Sequence, residues 1–342
     1  MNGENAMSID SGANRAYILR IVLLSVLSLL LGVGAAVLSQ FGMILIPALA
    51  SILASLFLLD RSRGHLASIA VSAVIIALEL VLNLYLCFNC LASVLTAMII
   101  VIGLSKGASK SITAAVATVL LAVAFASYFL LAAFYDIGSF DLGLAAEYLR
   151  RIMSETREEL FQMFREFTVT NHQGVNVQYF EDEVISITID TYFALLPSIL
   201  TVLAFATVGI VMKIFSAIIV RFGGDKQSLP LGWSFGTSPL FAYFFIILSI
   251  LQIFLFGTDA VTATVLNLYV VFLAVYAYVG YRFASFLFGR MLHKPRLAKF
   301  LILLSVLLFA QFAIQLLAYA GVFETVMSSR IKREDENDGT NL

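Results

Sequence analysis

The sequence predicts an all-α fold, a polytopic transmembrane helical bundle of about nine spans with an amphipathic helical insertion on the outer side. Three observations predict it. Hydrophobic residues make up 61% of the 342 residues and charged residues only 13%, and the mean hydropathy of +0.97 lies above that of soluble domains. Continuous apolar runs of about 18 residues or more recur along the chain, which favours membrane-spanning helices over a barrel. One polar stretch interrupts them near the middle.

Five apolar segments precede the polar stretch and four follow it. The predicted spans are Tyr17–Leu38, Phe41–Leu59, Leu66–Leu86, Cys87–Leu104, Ser111–Tyr135, Ile185–Phe222, Leu240–Phe256, Val261–Tyr281 and Leu297–Val322. The first run is too long for the core of a signal peptide, and no small-x-small cleavage site follows it, so we interpret it as a span. The predicted divisions are a disordered tail (1–16), a five-span bundle (17–135), the extracytoplasmic insertion (136–184), a four-span bundle (185–322) and a charged tail (323–342).

Lysine and arginine in the short loops predict the orientation. With a cytoplasmic N-terminus, the inner side collects Arg15, Arg20, Arg61, Arg63, Lys106, Lys110, Lys213, Arg221, Lys226, Arg282, Arg290, Lys294, Arg296 and Lys299. The short outer loops near Gln40, Asn89 and Asp259 contain none. This predicts a multi-pass protein of the cytoplasmic membrane with its insertion outside. Basic residues also follow the last span, so an eight-span arrangement, with Leu240–Phe256 re-entrant, stays open.

Within the insertion, Leu144–Phe167 is predicted to form an amphipathic helix. Its less polar positions recur at steps of three and four: Leu149, Ile152, Met153, Thr156, Leu160, Phe164 and Phe167. Such a helix either lies at the outer membrane surface and caps a cavity between the spans, or folds back on the bundle as a solvated element. The sequence leaves both interpretations open.

Polar side chains inside the spans are the candidate ligand-binding residues. A charge at the bilayer centre costs about 2.5–3.5 kcal/mol, so such a group must face a partner or water. Glu79 lies well inside the third predicted span, and Asn83 follows one turn later on the same face. Asp190 and Asn267 are weaker candidates for ligand binding. A polar ligand or proton site is one interpretation, and a protonated Glu79 bonded to a neighbouring helix is the other.

Small residues at four-residue spacing mark a helix face that allows close approach of another helix. In the first span these residues are Ser28, Gly32 and Ala36. The face either packs within the chain or docks a partner membrane protein.

Signatures of catalysis are absent from the sequence. His65, His172 and His293 are scattered, so neither a metal site nor a histidine-based triad is predicted. The pair Cys87 and Cys90 has redox spacing but no second pair, which favours free thiols. The sequence therefore predicts no enzyme and no cofactor, and a net charge of −1 gives no case for nucleic acid as a partner.

The order of these parts resembles the YybS-like bacterial membrane proteins, a family of unknown function. The resemblance rests on Pro47 opening the second span, the Arg63-Gly64 turn, the outer insertion, Leu229-Pro230 with Trp233, and Gly321-Val322-Phe323-Glu324 running into Arg330. That family is distantly similar to the substrate-binding S components of energy-coupling factor transporters. These are six-helix proteins that bind vitamins or metals from outside and dock a partner through small residues on the first helix.

The resemblance implies a function in the bacterial cytoplasmic membrane. Tyr17–Phe222 would correspond to an S component, with Ser28, Gly32 and Ala36 docking a membrane coupling protein that carries ATPases. Glu79 and Asn83 would line the ligand pocket, while three further spans depart from the S-component pattern. The first hypothesis is accordingly a small-ligand-binding or transport subunit, and the alternative is a non-transporting scaffold that recruits envelope or division proteins.

Overall fold

The computed structural model describes residues 4–37, 42–59, 63–82, 87–171, 178–222, 236–255 and 260–339. Within these ranges every regular element is a helix, which confirms the all-α prediction. The helices are α1 (Glu4–Val37), α2 (Gly42–Leu59), α3 (Arg63–Leu82), α4 (Cys87–Ser105), α5 (Lys110–Ile137), α6 (Leu142–Asn171), α7 (Gln178–Ala194), α8 (Leu196–Phe222), α9 (Pro239–Phe254), α10 (Ala260–Met291), α11 (Pro295–Leu308) and α12 (Ala310–Gly339). Both α1 and α12 extend into the terminal segments that the sequence predicts as tails.

In the described part of the chain, five helical segments are long and apolar enough to cross a membrane: Tyr17–Ala35, Gly64–Val81, Lys110–Ile137, Leu196–Phe222 and Ala260–Met291. Shorter apolar helices occupy the positions of the other predicted spans: Ile44–Leu58, Cys90–Ser105, Pro239–Phe254 and Phe312–Ser328. At 1.5 Å per residue the first of these is about 22 Å long, whereas the hydrocarbon core is about 30 Å thick. The predicted number of nine spans is therefore not confirmed.

Two segments predicted as single spans are interrupted. Ile185–Phe222 is divided between α7 and α8 at Leu195, and Leu297–Val322 between α11 and α12 at Phe309. Pro197 follows the first break and has no N–H for the helical hydrogen-bond ladder. Phe309 has non-helical backbone angles (φ −132°, ψ 45°). Because the residues at both breaks are themselves apolar, hydropathy does not reveal them.

The connection from α5 to α6 is built from specific capping groups. Gly138 ends α5 in the left-handed conformation (φ 70°), which glycine adopts without steric cost. The Asp141 carboxylate then accepts hydrogen bonds from the backbone N–H groups of Gly143 (2.7 Å) and Leu144 (3.1 Å), as an N-cap residue does. Helix α6 begins there and contains the predicted helix Leu144–Phe167.

The chain forms two compact units by its internal contacts. Unit 1 consists of Met1–Arg151 and Leu203–Ser234, and unit 2 of Ile152–Val202 and Phe235–Leu342. The boundaries fall inside α6 and α8. The two units are defined by which residues pack together, whereas the divisions predicted from the sequence are defined by residue composition along the chain.

In unit 1, α1, α2, α3 and α4 pack against one another, and α5 packs against α4. Apolar side chains of α1 and α2 form one buried cluster, which includes Leu24 and Leu56. The C-terminal part of α8 belongs to the same unit. Ser51 of α2 donates a hydrogen bond to the Val211 carbonyl of α8 (3.3 Å). Arg20 of α1 donates to the Phe222 carbonyl at the end of α8 (2.9 Å).

In unit 2, α10 and α12 make the most extensive contact, and α9 and α11 pack beside them. The two helices approach so closely at Gly280 and Gly321 that a Cβ atom on Gly280 would overlap the Leu317 carbonyl. An aromatic cluster lies beside this crossing. The Phe245 ring stacks on Tyr269 and Tyr276, with centroids 5.7 and 5.2 Å apart.

Candidate functional site

Glu79 is the one acidic side chain that is fully buried within the described residues, with 0% of its surface exposed. It lies two residues before the end of the apolar segment Gly64–Val81, in the last turn of α3. The predicted span continues to Leu86, but residues 83–86 lie outside the described residues, so the depth of Glu79 within that span stays a prediction. Glu79 lies close to the connection that leads into α4.

Neither carboxyl oxygen of Glu79 forms a hydrogen bond of ordinary geometry with a described residue. The carboxyl group faces the backbone N–H of Cys90, the fourth residue of α4. The beginning of a helix favours negative charge. The carboxyl group thus lies beside the beginning of α4 while retaining unused hydrogen-bonding capacity.

Small polar side chains continue the buried face of α3 toward its beginning. Ser68 and Ser72 precede Glu79 by eleven and seven residues, which places all three on one side of the helix. Both serines are buried. Ser68 donates to the Leu53 carbonyl of α2 (3.4 Å), and the Cys90 thiol lies 4.0 Å from the Ser72 carbonyl. Unit 1 therefore buries a polar strip along α3, with the carboxyl group of Glu79 at its end.

Asp190 of α7 forms an ion pair with Arg157 of α6, which the sequence does not predict. Arg157 of α6 donates to both carboxylate oxygens of Asp190 (2.7 and 3.0 Å) and to the Ser186 hydroxyl (2.9 Å). The hydrogen bonds from Arg157 lower the pKa of Asp190, and the same contact raises the pKa of Arg157. The pair is 40% and 36% exposed, so water screens it. Its geometry is that of a connection between two helices.

Asn267 of α10 bridges the break between α7 and α8. Its side-chain oxygen accepts from the Ser198 N–H (2.9 Å), and its amide nitrogen donates to the Ala194 carbonyl (2.7 Å) and to the Ala263 carbonyl (2.8 Å). In an uninterrupted helix, the Ser198 N–H would bond directly to the Ala194 carbonyl. The Asn267 amide is inserted into that bond, and both of its N–H groups are used.

The structure places three of the four predicted ligand-binding residues, and their environments differ. Glu79 belongs to unit 1 and retains free acceptors, whereas Asp190 and Asn267 belong to unit 2 and are bonded within the chain. Asn83 lies outside the described residues. No described contact joins these side chains in one site.

The small-residue face of α1 is occupied within unit 1. Ser28 is fully buried, and a Cβ atom on Gly32 would lie 2.6 Å from Cγ2 of Ile75 in α3. The side chain of Ala36 lies outside the described residues. In this structure, Ser28 and Gly32 pack against the chain itself, which is the first of the two interpretations that the spacing allowed.

Other reactive groups are sparse in the described residues. The thiol of Cys90 is buried, and the side chain of Cys87 is not described. Across the described ranges, no three His, Cys, Asp or Glu side chains come together as metal ligands.

Comparison with known proteins assigns the chain to a family. A family model described as a predicted membrane protein (DUF2232) matches residues 22–325. The chain belongs to that family. The match runs from α1 to the first half of α12 and so includes Glu79, Asp190 and Asn267. No curated protein and no solved structure gives a significant match.

Two features of these sites are not predicted by the sequence. The pairing of Arg157 with Asp190 left no signal, because 33 residues and a helix end separate them. The polar strip of α3 did leave a signal in the sequence, since Ser68 and Ser72 are one helical turn apart and lie on the same helix face as Glu79. The signal is weak because serine is common in membrane helices, where it bonds to its own helix backbone.

Proposed function

We propose that this membrane protein binds a small polar ligand at Glu79 and serves as the ligand-binding subunit of a transport system, without being an enzyme itself. One observation carries the proposal. Glu79 is fully buried beside apolar helices, and its carboxyl oxygens form no hydrogen bond of ordinary geometry with described residues. Leaving a buried polar group unpaired costs about 1–3 kcal/mol. A side chain kept at that cost is a candidate for contact with a ligand, a proton or water.

The surroundings of Glu79 indicate the chemistry of the ligand. A carboxyl group accepts hydrogen bonds when ionised and also donates one when protonated. The neighbouring serine hydroxyls and the first turn of α4 add short, uncharged hydrogen-bonding groups. We therefore expect a small ligand with an amine or several hydroxyl groups that enters from the end of α3.

The resemblance to S components supplies the transport context. Under this proposal the chain lies in a bacterial cytoplasmic membrane with a cytoplasmic N-terminus, and a membrane coupling protein with ATPases supplies the energy. Because Ser28 and Gly32 pack against α3 in this structure, docking of such a partner would use a surface other than these two residues or would require α1 to separate from α3.

Gentle affinity purification of the full chain from native membranes tests this function. Mass spectrometry would identify both the co-purifying proteins and the retained small molecules. A stoichiometric metabolite, together with a coupling protein and ATPases, is the expected result. Envelope or division proteins recovered without any small molecule would contradict transport and support the scaffold.

The scaffold is the second candidate because α6 exposes apolar side chains. Ile152 (37%), Met153 (41%), Met163 (55%) and Phe164 (40%) are all exposed on this otherwise charged helix. Exposed apolar residues that cluster on one element mark a contact with protein or lipid. Phe164→Glu would abolish recovery of a scaffold partner, whereas Glu166→Gln, a nearby exposed substitution, would leave it unchanged. Recovery of the partner with Phe164→Glu would count against this role of α6.

A further inference from the structure

A second candidate site lies in unit 2, beside the crossing of α10 and α12. A cavity of about 330 Å³ is lined by residues of both helices and by the two residues that precede Ser238 and α9: Gly236, Thr237, Val279, Arg282, Phe283, Phe286, Glu324, Thr325 and Ser328. This volume is within the range of small-molecule sites, at about 300–1,000 Å³. None of these residues belongs to the Glu79 site.

The cavity holds one positive and one negative side chain. Arg282 extends from α10, and Glu324 extends from α12. The two do not form an ion pair with each other, and among the described residues neither side chain has an ion-pair partner. Charges of opposite sign that line one cavity without pairing can bind a ligand that carries both complementary charges.

Hydroxyl groups also line the cavity. The Thr325 hydroxyl donates to the Gly321 carbonyl (2.9 Å) and lies 3.0 Å from the Thr237 hydroxyl. The fully buried Tyr276 hydroxyl faces Thr237 but makes no hydrogen bond of ordinary geometry with a described residue. Tyr276 is not a lining residue of the cavity, so the hydroxyl groups that a ligand would meet are those of Thr237, Thr325 and Ser328.

The position of the cavity along α10 indicates where in the membrane it lies. Arg282 follows Ala260, the start of α10, by 22 residues, or about 33 Å of helix. The hydrocarbon core is about 30 Å thick. If α10 crosses the bilayer, Arg282 therefore lies at the headgroup level of one surface. Phe286, which also lines the cavity, is 68% exposed and presents an apolar surface beside the charges.

We propose that this cavity binds a zwitterionic group that combines a phosphate with a primary ammonium. The guanidinium group of Arg282 matches the geometry of phosphate oxygens, and the carboxylate of Glu324 accepts hydrogen bonds from an ammonium group. The exposed Phe286 provides a surface for acyl chains. A phosphatidylethanolamine headgroup and a free phosphoethanolamine ester share this chemistry.

Binding of short-chain lipids to the full chain in detergent, measured by native mass spectrometry, tests the proposal. Phosphatidylethanolamine should bind about tenfold more tightly than phosphatidylglycerol, which lacks the ammonium, and than phosphatidylcholine, whose ammonium has no hydrogen to donate. Glu324→Gln keeps the shape of the side chain and should remove this preference. Arg282→Gln should weaken the binding of all three lipids by about tenfold.

Arg290→Gln is the matched control, because it removes the same charge from the same helix outside the cavity. It should bind like the unmodified chain. If Arg282→Gln fails to fold, Arg282→Lys keeps the charge but not the planar fork, and should weaken binding to a smaller extent.

Competition by glycerophosphoethanolamine distinguishes the two sources of the headgroup. Displacement of the lipid at equal concentration would assign the site to a soluble molecule, and no displacement would assign it to a lipid; either result supports the shared chemistry. Equal binding of all three lipids by the unmodified chain would overturn the proposal. The proposal would also be overturned if the Glu324→Gln variant still preferred phosphatidylethanolamine.

Discussion

Replacing Asn267 by leucine tests whether its amide supports the break between α7 and α8. Leucine has a similar size, so the substitution removes hydrogen bonds without opening a large cavity. Two backbone groups lose their partner, the Ser198 N–H and the Ala194 carbonyl. The Ala263 carbonyl also loses a bond to the amide but lies within α10, where it keeps its helical hydrogen bond.

The magnitude follows from these two groups. At about 1–3 kcal/mol for each unpaired buried group, the cost has an upper bound of about 6 kcal/mol. Side-chain hydrogen bonds in membrane proteins average about 0.6 kcal/mol, which gives a lower bound of about 1.2 kcal/mol for the pair. Partial straightening would let the Ser198 N–H approach the Ala194 carbonyl directly, so we expect a loss of about 2 kcal/mol, or about thirtyfold in the unfolding equilibrium.

Reversible unfolding in mixed micelles of increasing SDS fraction, followed by circular dichroism, measures this loss. Thr264→Val is the matched control on α10, because it removes an exposed hydroxyl that bonds only to the Ala260 carbonyl of its own helix. Its effect should stay within about 0.5 kcal/mol. If Asn267→Leu unfolds at the same SDS fraction as the unmodified chain, the bridging role of Asn267 is refuted.

Three further predictions concern other contacts. Gly280→Ala should separate α10 from α12 and lower the unfolding midpoint in SDS, because the added Cβ would overlap backbone, whereas Gly34→Ala, with its nearest contact at 3.8 Å, should not. Arg157→Gln should return the pKa of Asp190 toward its ordinary value, measurable by NMR titration. Because Arg157 lowers the pKa of Asp190, the ion pair stabilises the fold slightly at a pH above the ordinary pKa of aspartate, and this stabilisation is lost as the pH falls below that pKa. Unfolding of the variant and the unmodified chain at the same acidic pH would contradict this. In the Cys87→Ser variant, the buried thiol of Cys90 should react with a maleimide only after unfolding, and rapid labelling of the folded variant would contradict its burial.

Composition and hydropathy predict the helical class because a bilayer requires every backbone polar group to be bonded within the segment. The same reasoning located the amphipathic helix, now within α6, from its three- and four-residue spacing. It did not locate the ends of the helices. Leu195 and Phe309 break two apolar runs, and both are as apolar as their neighbours.

The candidate site was predictable only in part. A lone acid in an apolar run identifies Glu79, because its burial is costly wherever the helix lies. Asp190 and Asn267 carry the same polar signal, yet their partners are distant in sequence and depend on how α6, α7 and α10 pack. The cavity lined by Arg282 and Glu324 is hidden for a similar reason, since the sequence predicts Arg282 in a loop and Glu324 in the charged tail.

Quantifying the small molecules that co-purify with the unmodified chain, with Glu79→Gln and with Glu147→Gln tests the central claim most directly. Glu147 is an exposed acid of α6, so its variant controls for the loss of a carboxylate. The account predicts one ligand in near-stoichiometric amount with the unmodified chain and with Glu147→Gln, reduced about tenfold or more in Glu79→Gln although that variant still inserts and folds. Equal retention by all three proteins, or no ligand in any, would contradict it.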